Sequence, residues 1–481
     1  IRRFFSSVAL MKGAYGLLCL WLSVALLIQP AHAQQILRDA ETEAFLREIS
    51  RPSIEAAGLS PNNVQVLLIN DRNINAFVAG GQIVWLHSGL ITAADNANQL
   101  QGVIAHELGH IEGGHIIRSG EGMKAATGIT LLSLLLGAAA IAAGGGEAGM
   151  GIISAGQQAA MGKYLAFSRT QESSADLAGA RYMHAAGISG QGSIAFFKKL
   201  QNLEYRYRLR EEADDGYATT HPLSSDRISY LTEVYQNDPA WNAKASPELE
   251  ARFARIKAKL AGFVDDPAQT MRTYPESDQS LAAHYARAYA WHKSAYPDKA
   301  LAETQALTQA QPHDPYFLEV QGQVLLESGR AADAIAPLRE AVRLTNSQPL
   351  IATLLGHALI ATENEANFAE AERVLRAAVA KDRENPFAWY QLGVVYEHRG
   401  DTARAALATA ERYTLEGNTP LALRNAEMAM AGIDKASPDY LRAQDIALAA
   451  RGEMDNAHKK KGGKSGKEGK DGKSQSGKDA S

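Results

Sequence analysis

Hydrophobic and polar positions along the chain follow two regimes. In the first half, helical and strand-like spacings alternate. Apolar Ile36, Ala40, Ala44 and Ile49 recur at helical intervals and predict a helix from Gln34 to about Ile54. Val64-Gln65-Val66-Leu67-Leu68-Ile69 is apolar and β-branched, which predicts a strand. Ala76 to Ala79 and Gln82 to Leu86 flank Gly80-Gly81, the pattern of a hairpin. A helix is expected from about Asn98, another opening at Glu172 to Leu177, and a further helical stretch over Ile194 to Leu209. Pro222 cannot continue a helix, so Thr220 to Ile228 is read as a loop running into a new one.

The second half repeats itself. Ala288, Gly322, Gly356, Gly393 and Glu427 occupy equivalent places, at spacings of 34, 34, 37 and 34 residues. Trp389-x-x-Leu392-Gly393-x-x-Tyr396 is the first-helix pattern of a tetratricopeptide repeat, and Ala334, Ala341, Ala371, Ala378 and Ala405 fall in the second helices. The longer interval fits an insertion around Thr362 to Asn367. Stacked helix pairs form a superhelix with a concave binding surface. The fold expected is mainly α: an α+β domain with a small sheet over 34–262, then repeats over 263–455.

One stretch belongs to neither regime. Residues 125–146 carry no charge and are long enough to span a bilayer. A single crossing would separate residues before and after it, and the return from Ala148 to Gly162 is short. Gly144-Gly145-Gly146 suits a turn, so 125–162 is read as an apolar hairpin, either a lid over a site or a dip into a membrane surface.

Charge and composition narrow the setting. The formal net charge is −4, but the tail from Lys459 carries eight Lys against three acids. Without that tail and the first twelve residues, 38 basic residues face 50 acidic ones, a body ill-suited to nucleic acid. Residues 456–481 are Lys, Gly and Ser with a few acids and are expected to be disordered. Arg2, Arg3 and Lys12, the apolar run Gly13 to Ile28, and Ala31-His32-Ala33 make a secretory signal over 1–33. The single cysteine, Cys19, lies within that run, so disulfides play no part in the mature chain.

The chemistry lies in the helix from Asn98. His106 and His110 are four residues apart and share a face, where two imidazoles can meet one metal ion. Glu107 is turned by about 100° and can reach a metal-bound water as general base. Zinc suits two imidazoles and lowers the pKa of bound water to about 7. A catalytic zinc takes a third protein ligand. Position 116, where one class of metalloproteases places it, is Ile116, and His115 is one residue off. Glu172 can reach in from another helix, with Asp176 one turn on to hold the far nitrogen of a ligand His. Equally, two acids at a helix start can simply favour the dipole.

His106-Glu107-x-x-His110, Glu172-x-x-x-Asp176, and His221-Pro222 followed by Arg227-Ile228 together resemble the gluzincin peptidases related to the CAAX prenyl protease and the HtpX heat-shock protease. That resemblance implies a zincin-type domain, one Zn2+ held by His106, His110 and Glu172, and Glu107 as the base. It also places His221 near the zinc, either as a fourth ligand or as a donor to the oxyanion, with Arg227 as a second positive group. The order signal, catalytic domain, repeats is similar to that of envelope quality-control proteases. It implies a Gram-negative periplasm, misassembled outer-membrane proteins as substrates, and the β-barrel assembly machinery as a partner of the repeats. Membrane contact is expected to be peripheral. The other function considered is a chaperone or scaffold with a latent protease site. Gln82, Ile83, Val84, Trp85 and Leu86 are expected to form an edge strand that pairs with extended substrate.

Overall fold

In a computed structural model, residues 36–142, 146–210 and 221–468 are described. The proposed signal, residues 143–145, residues 211–220 with the expected loop start at Thr220, and the last thirteen residues lie outside them.

Four strands make one sheet: β1 (Ile36–Leu37), β2 (Gln65–Ile69), β3 (Ala76–Ala79) and β4 (Ile83–His87), in the order β1-β2-β4-β3. β2 and β4 run parallel, with Leu67 opposite Trp85, and β3 pairs antiparallel with β4, Phe77 opposite Trp85. Gly80 and Gly81 take positive φ of 70° and 97°, which lets the chain reverse without a Cβ clash. The expectation of an edge strand at Gln82 to Leu86 is corrected here. β4 is paired on both sides and its main chain is already used; among the described residues the outer strand on that side is β3. The alternation of the hairpin is the same for either strand, and only the later placement of β2 decides which one is covered.

Helices α1 (Ala40–Ala56), α2 (Ser88–Ala93), α3 (Ala97–Glu112), α4 (His115–Ala142), α5 (Gly146–Ala185), α6 (Gln191–Arg210), α7 (Ser225–Gln236) and α8 (Pro247–Val264) complete the first domain. α3 is capped by Asn96, whose side chain accepts from the Gln99 N–H at 3.0 Å. From Leu100 to His110 every residue of α3 is buried. Its apolar side chains (Leu100, Val103, Ile104, Leu108) join Phe45, Leu86, Phe196 and Phe253 in one core. α3 and the C-terminal half of α5 cross closely because small residues meet. A Cβ on Gly109 would lie 2.7 Å from the Ala175 carbonyl oxygen, and one on Gly179 only 3.1 Å from that of Ala105. This close approach brings acids on α5 to the histidines of α3.

α8 joins the domains. Its limit at Val264 moves the expected boundary by two residues. Arg255 and Lys259 reach Glu41 on α1, which also accepts from Tyr285 Oη at 2.9 Å, and Arg255 pairs with Asp314 at 2.7 Å. The repeats follow as helix pairs. Ala288, Gly322, Gly356 and Gly393 are each the eighth residue of a first helix and all are buried. Glu427 instead is exposed and pairs with Arg451, and the helix Thr419–Gly432 buries Ala422, Ala426 and Ala429. The connection before Glu365 stays short, and the extra residues of the 37-residue interval lengthen the helix Glu365–Lys381 to 17 residues against 14 in Ala331–Leu344. The last helix, Pro438–Glu468, continues past Asn456, so the tail expected to be disordered begins as helix. Adding residues to a formed helix costs little, and Ala and Lys favour it.

Candidate metal centre and active site

His106, His110, Glu172 and His221 offer one ligand atom each, all within 4.8 Å of one another, and all four side chains are buried. His110 Nε2 lies 3.1 Å from His106 Nε2, and His221 Nδ1 lies 3.5 Å from His106 Nε2. Glu172 closes the group at 3.4 Å from His106, 3.5 Å from His110 and 3.1 Å from His221. Zinc bonds of about 2.0–2.1 Å put tetrahedral donors about 3.3–3.4 Å apart. The donor set and its spacing therefore fit zinc. α3 supplies two donors because its turn stacks positions four apart, α5 supplies one through the Gly109 crossing, and the His221-Pro222 segment supplies the last.

The far nitrogen of each histidine is held. His106 Nδ1 lies 2.9 Å from Asp176 Oδ1, which fixes the tautomer that leaves Nε2 facing the cluster. His221 Nε2 lies 3.2 Å from the Ala76 carbonyl oxygen on β3. His110 Nδ1 lies 2.9 Å from His115 Nδ1. Reading α3 as continuing through Gly113 sent His115 to another face. The structure ends α3 at Glu112, and Gly114 takes a φ of 61° before α4 starts. That break folds the His115 ring back onto His110. The Gly113-Gly114 pair was the signal available in the sequence.

Arg227 has a different place from the one expected. Its Nε and Nη2 donate to Asp176 at 2.8 and 2.9 Å, and Nη1 donates to the Pro222 carbonyl at 2.6 Å and lies 3.2 Å from Glu172. The guanidinium is committed to these acceptors, so it positions Asp176 and the His221 segment and is not a donor for an oxyanion. Such a planar bidentate pair suits Arg and not Lys.

Glu107 is fully buried, and neither carboxylate oxygen has a hydrogen-bond partner. Burial raises its pKa, and the nearby His221 and His106 only partly offset this. Oε1 lies 3.6 Å from His221 Nε2. A carboxylate kept without a partner beside a metal-ligand cluster is costly to fold, and it is what a proton acceptor for a bound water requires. Burial also lowers the His110 pKa, to about 2, with the His106 charge adding to it, so His110 stays the neutral imidazole a metal takes.

Residues 40–235 match peptidase family M48, and residues 293–349 and 361–421 match a tetratricopeptide repeat. The chain thus carries an M48 metallopeptidase domain followed by C-terminal tetratricopeptide repeats, and that domain brings together a His, His, Glu, His cluster able to hold a metal ion. Over most of its length it is similar to the β-barrel assembly-enhancing proteases. The one from Yersinia pestis is 26% identical over 78% of this chain and 76% of its own. The one from Escherichia coli K12 is 23% identical over 81% and 78%. A candidate of the same name from Vibrio cholerae is 28% identical over 60% of this chain, which spans 59% of that relative's length.

Removing the charge of Glu172 tests its place in the cluster. Glu172→Gln keeps the shape and should weaken zinc binding roughly tenfold or more, read by competition with a chromogenic chelator. Unchanged affinity would put the third ligand elsewhere.

Proposed function

We propose that the chain is a zinc-dependent endopeptidase of the Gram-negative periplasm that cleaves outer-membrane β-barrel proteins that have failed to assemble, with the repeats holding clients or the assembly machinery. The observation that carries the peptidase reading is the buried four-donor set His106, His110, Glu172 and His221 beside the Glu107 carboxylate, which has no hydrogen-bond partner. The client and compartment rest on the similarity to β-barrel assembly-enhancing proteases, and the membrane contact is treated separately below.

Bound zinc would polarise the scissile carbonyl and acidify water. Glu107 takes the proton from that water and hands it to the leaving amine. Asp176 and His115 hold the ligand rings, and Arg227 holds Asp176. Among the described residues β3 pairs with a strand on one side only, and its Ala76 carbonyl lies 3.2 Å from His221 Nε2. An extended substrate that adds to this edge is read through its main chain, which selects unfolded segments over folded barrels.

The test uses one β-barrel protein in two forms, urea-unfolded then diluted, and folded in detergent. The full-length enzyme should cleave the first and spare the second, with phenanthroline stopping cleavage and added zinc restoring it. Equal cleavage of both forms would remove the edge-pairing account. No cleavage of either by zinc-loaded enzyme would remove the proposed client.

A further inference from the structure

The hairpin of α4 and α5 is built inside out. Where the two helices touch, the side chains are small: among the described residues from Glu121 to Ala160 the buried positions are Gly122, Ser133, Gly137, Gly149 and Ala160. The backbones approach so closely that a Cβ on Gly137 would lie 2.7 Å from the Gly149 carbonyl oxygen. The large apolar side chains point the other way. Leu131, Leu132, Leu135, Leu136, Met150 and Met161 are all more than half exposed, Leu135 at 71%. A hairpin held together in water would bury leucine and expose the small polar residues. Helices packing in lipid do the reverse, because the tails gain nothing from hidden leucine while small residues let backbones meet.

Length and charge agree with this. The described residues from Ala125 to Ala142 carry no charge, and neither do those from Ala148 to Gly162. As helices they extend about 27 and 22 Å, against about 30 Å of bilayer hydrocarbon. The two arms return to the same level. Arg118, Lys124, Lys163 and Arg169 stand there with only Glu121 of opposite sign, next to Tyr164. A basic level with an aromatic residue is what an anionic headgroup region takes.

We infer that the paired helical stretches Ala125–Ala142 and Ala148–Gly162 enter a lipid bilayer from one side, with Glu147 the charged residue at their far end, and anchor the enzyme there. A hairpin leaves both its ends on one face, so the histidines of α3 and Glu172 of α5 stay together. Lys163 and Glu172 lie on the same continuous helix, nine residues apart, which holds the metal centre about 14 Å from the headgroup level. The enzyme then works on polypeptide close to a membrane surface. The anchoring itself does not depend on the catalytic reading above.

The test uses the mature chain, with the signal over 1–33 removed, and vesicles of phosphatidylethanolamine and phosphatidylglycerol. That chain has no cysteine, so Leu135→Cys gives a single site for an environment-sensitive fluorophore. The protein should float with the vesicles and stay with them through high salt and alkaline carbonate. The label should shift to the blue and be quenched by nitroxides on the acyl chains more than by nitroxides on the headgroups. Leu132→Lys with Leu135→Lys should lower vesicle binding at least tenfold. Both positions are exposed, so zinc content should not change, and that measurement reports whether the variant folds. Protein that stays in the aqueous fraction, or that salt alone strips, overturns the inference. So does a lysine variant that floats like wild type with zinc retained. A blue shift that follows protein concentration without lipid would mean that a second copy covers the hairpin, which also overturns it. Cleavage of a soluble unfolded substrate, followed in the same samples, reports on the proposed peptidase separately.

Discussion

Glu107→Gln is expected to lower turnover of an unfolded substrate by roughly 10²- to 10⁴-fold, the usual contribution of a positioned general base, and to leave zinc binding in place. The amide has the size of the carboxyl, so the packing around α3 is kept. It cannot take a proton from water. The four ligand atoms belong to other residues, and all lie within 4.8 Å of one another. The two readouts therefore separate. Metal content by atomic absorption should equal that of wild type, and the thermal midpoint should hold or rise, because a buried carboxyl without a hydrogen-bond partner is replaced by a neutral amide of the same size. A variant that cleaves at the wild-type rate would take the base role from Glu107. A variant that loses zinc would show that Glu107 supports the ligands instead.

His221→Ala is expected to raise basal proteolysis. With His221 Nδ1 at 3.1 Å from Glu172 and 3.5 Å from His106, a metal in the cluster meets four protein donors. Tetrahedral zinc with four protein ligands is a closed site and has no place for water. The His221 segment lies outside the helices that carry the other three ligands, so it alone can leave without unfolding a helix. Its ties are the Ala76 carbonyl on β3 and the Arg227 bond to Pro222. If the open arrangement is populated about one part in ten, removing the side chain raises turnover about tenfold. Initial rates on an unfolded substrate at saturating zinc measure this. A fall in turnover with zinc retained would instead make His221 a donor to the developing oxyanion.

Local signals carried much of the architecture. The strands over 65–69 and 76–79 and the helix holding His106 lie within a residue or two of their expected places, because alternation and helical spacing are local properties. The same holds for the first helices of the repeats, where Gly322 and Gly356 are the small residues against which Leu338 and Leu375 pack. Glu427 breaks the series because burial in the final pair depends on how that pair leans on the helix from Pro438, and no spacing encodes that lean.

What the sequence determined by itself is the catalytic pair of turns: His106 and His110 on one face, with Glu107 beside them, follows from 3.6 residues per turn. Whether Glu172 or any other acid completes the set was decided by the α3 to α5 crossing, which small residues at Gly109 and Gly179 permit but do not announce. Tertiary structure also assigned Arg227 to Asp176, because a charge 51 residues away finds its partner only when α7 packs on α5. It returned His115 to His110 through a break at Gly113 and Gly114. And it covered β4 and left β3 as the outer strand, since sheet order is set by the long-range pairing of β2, which leaves no mark on the residues of the hairpin itself.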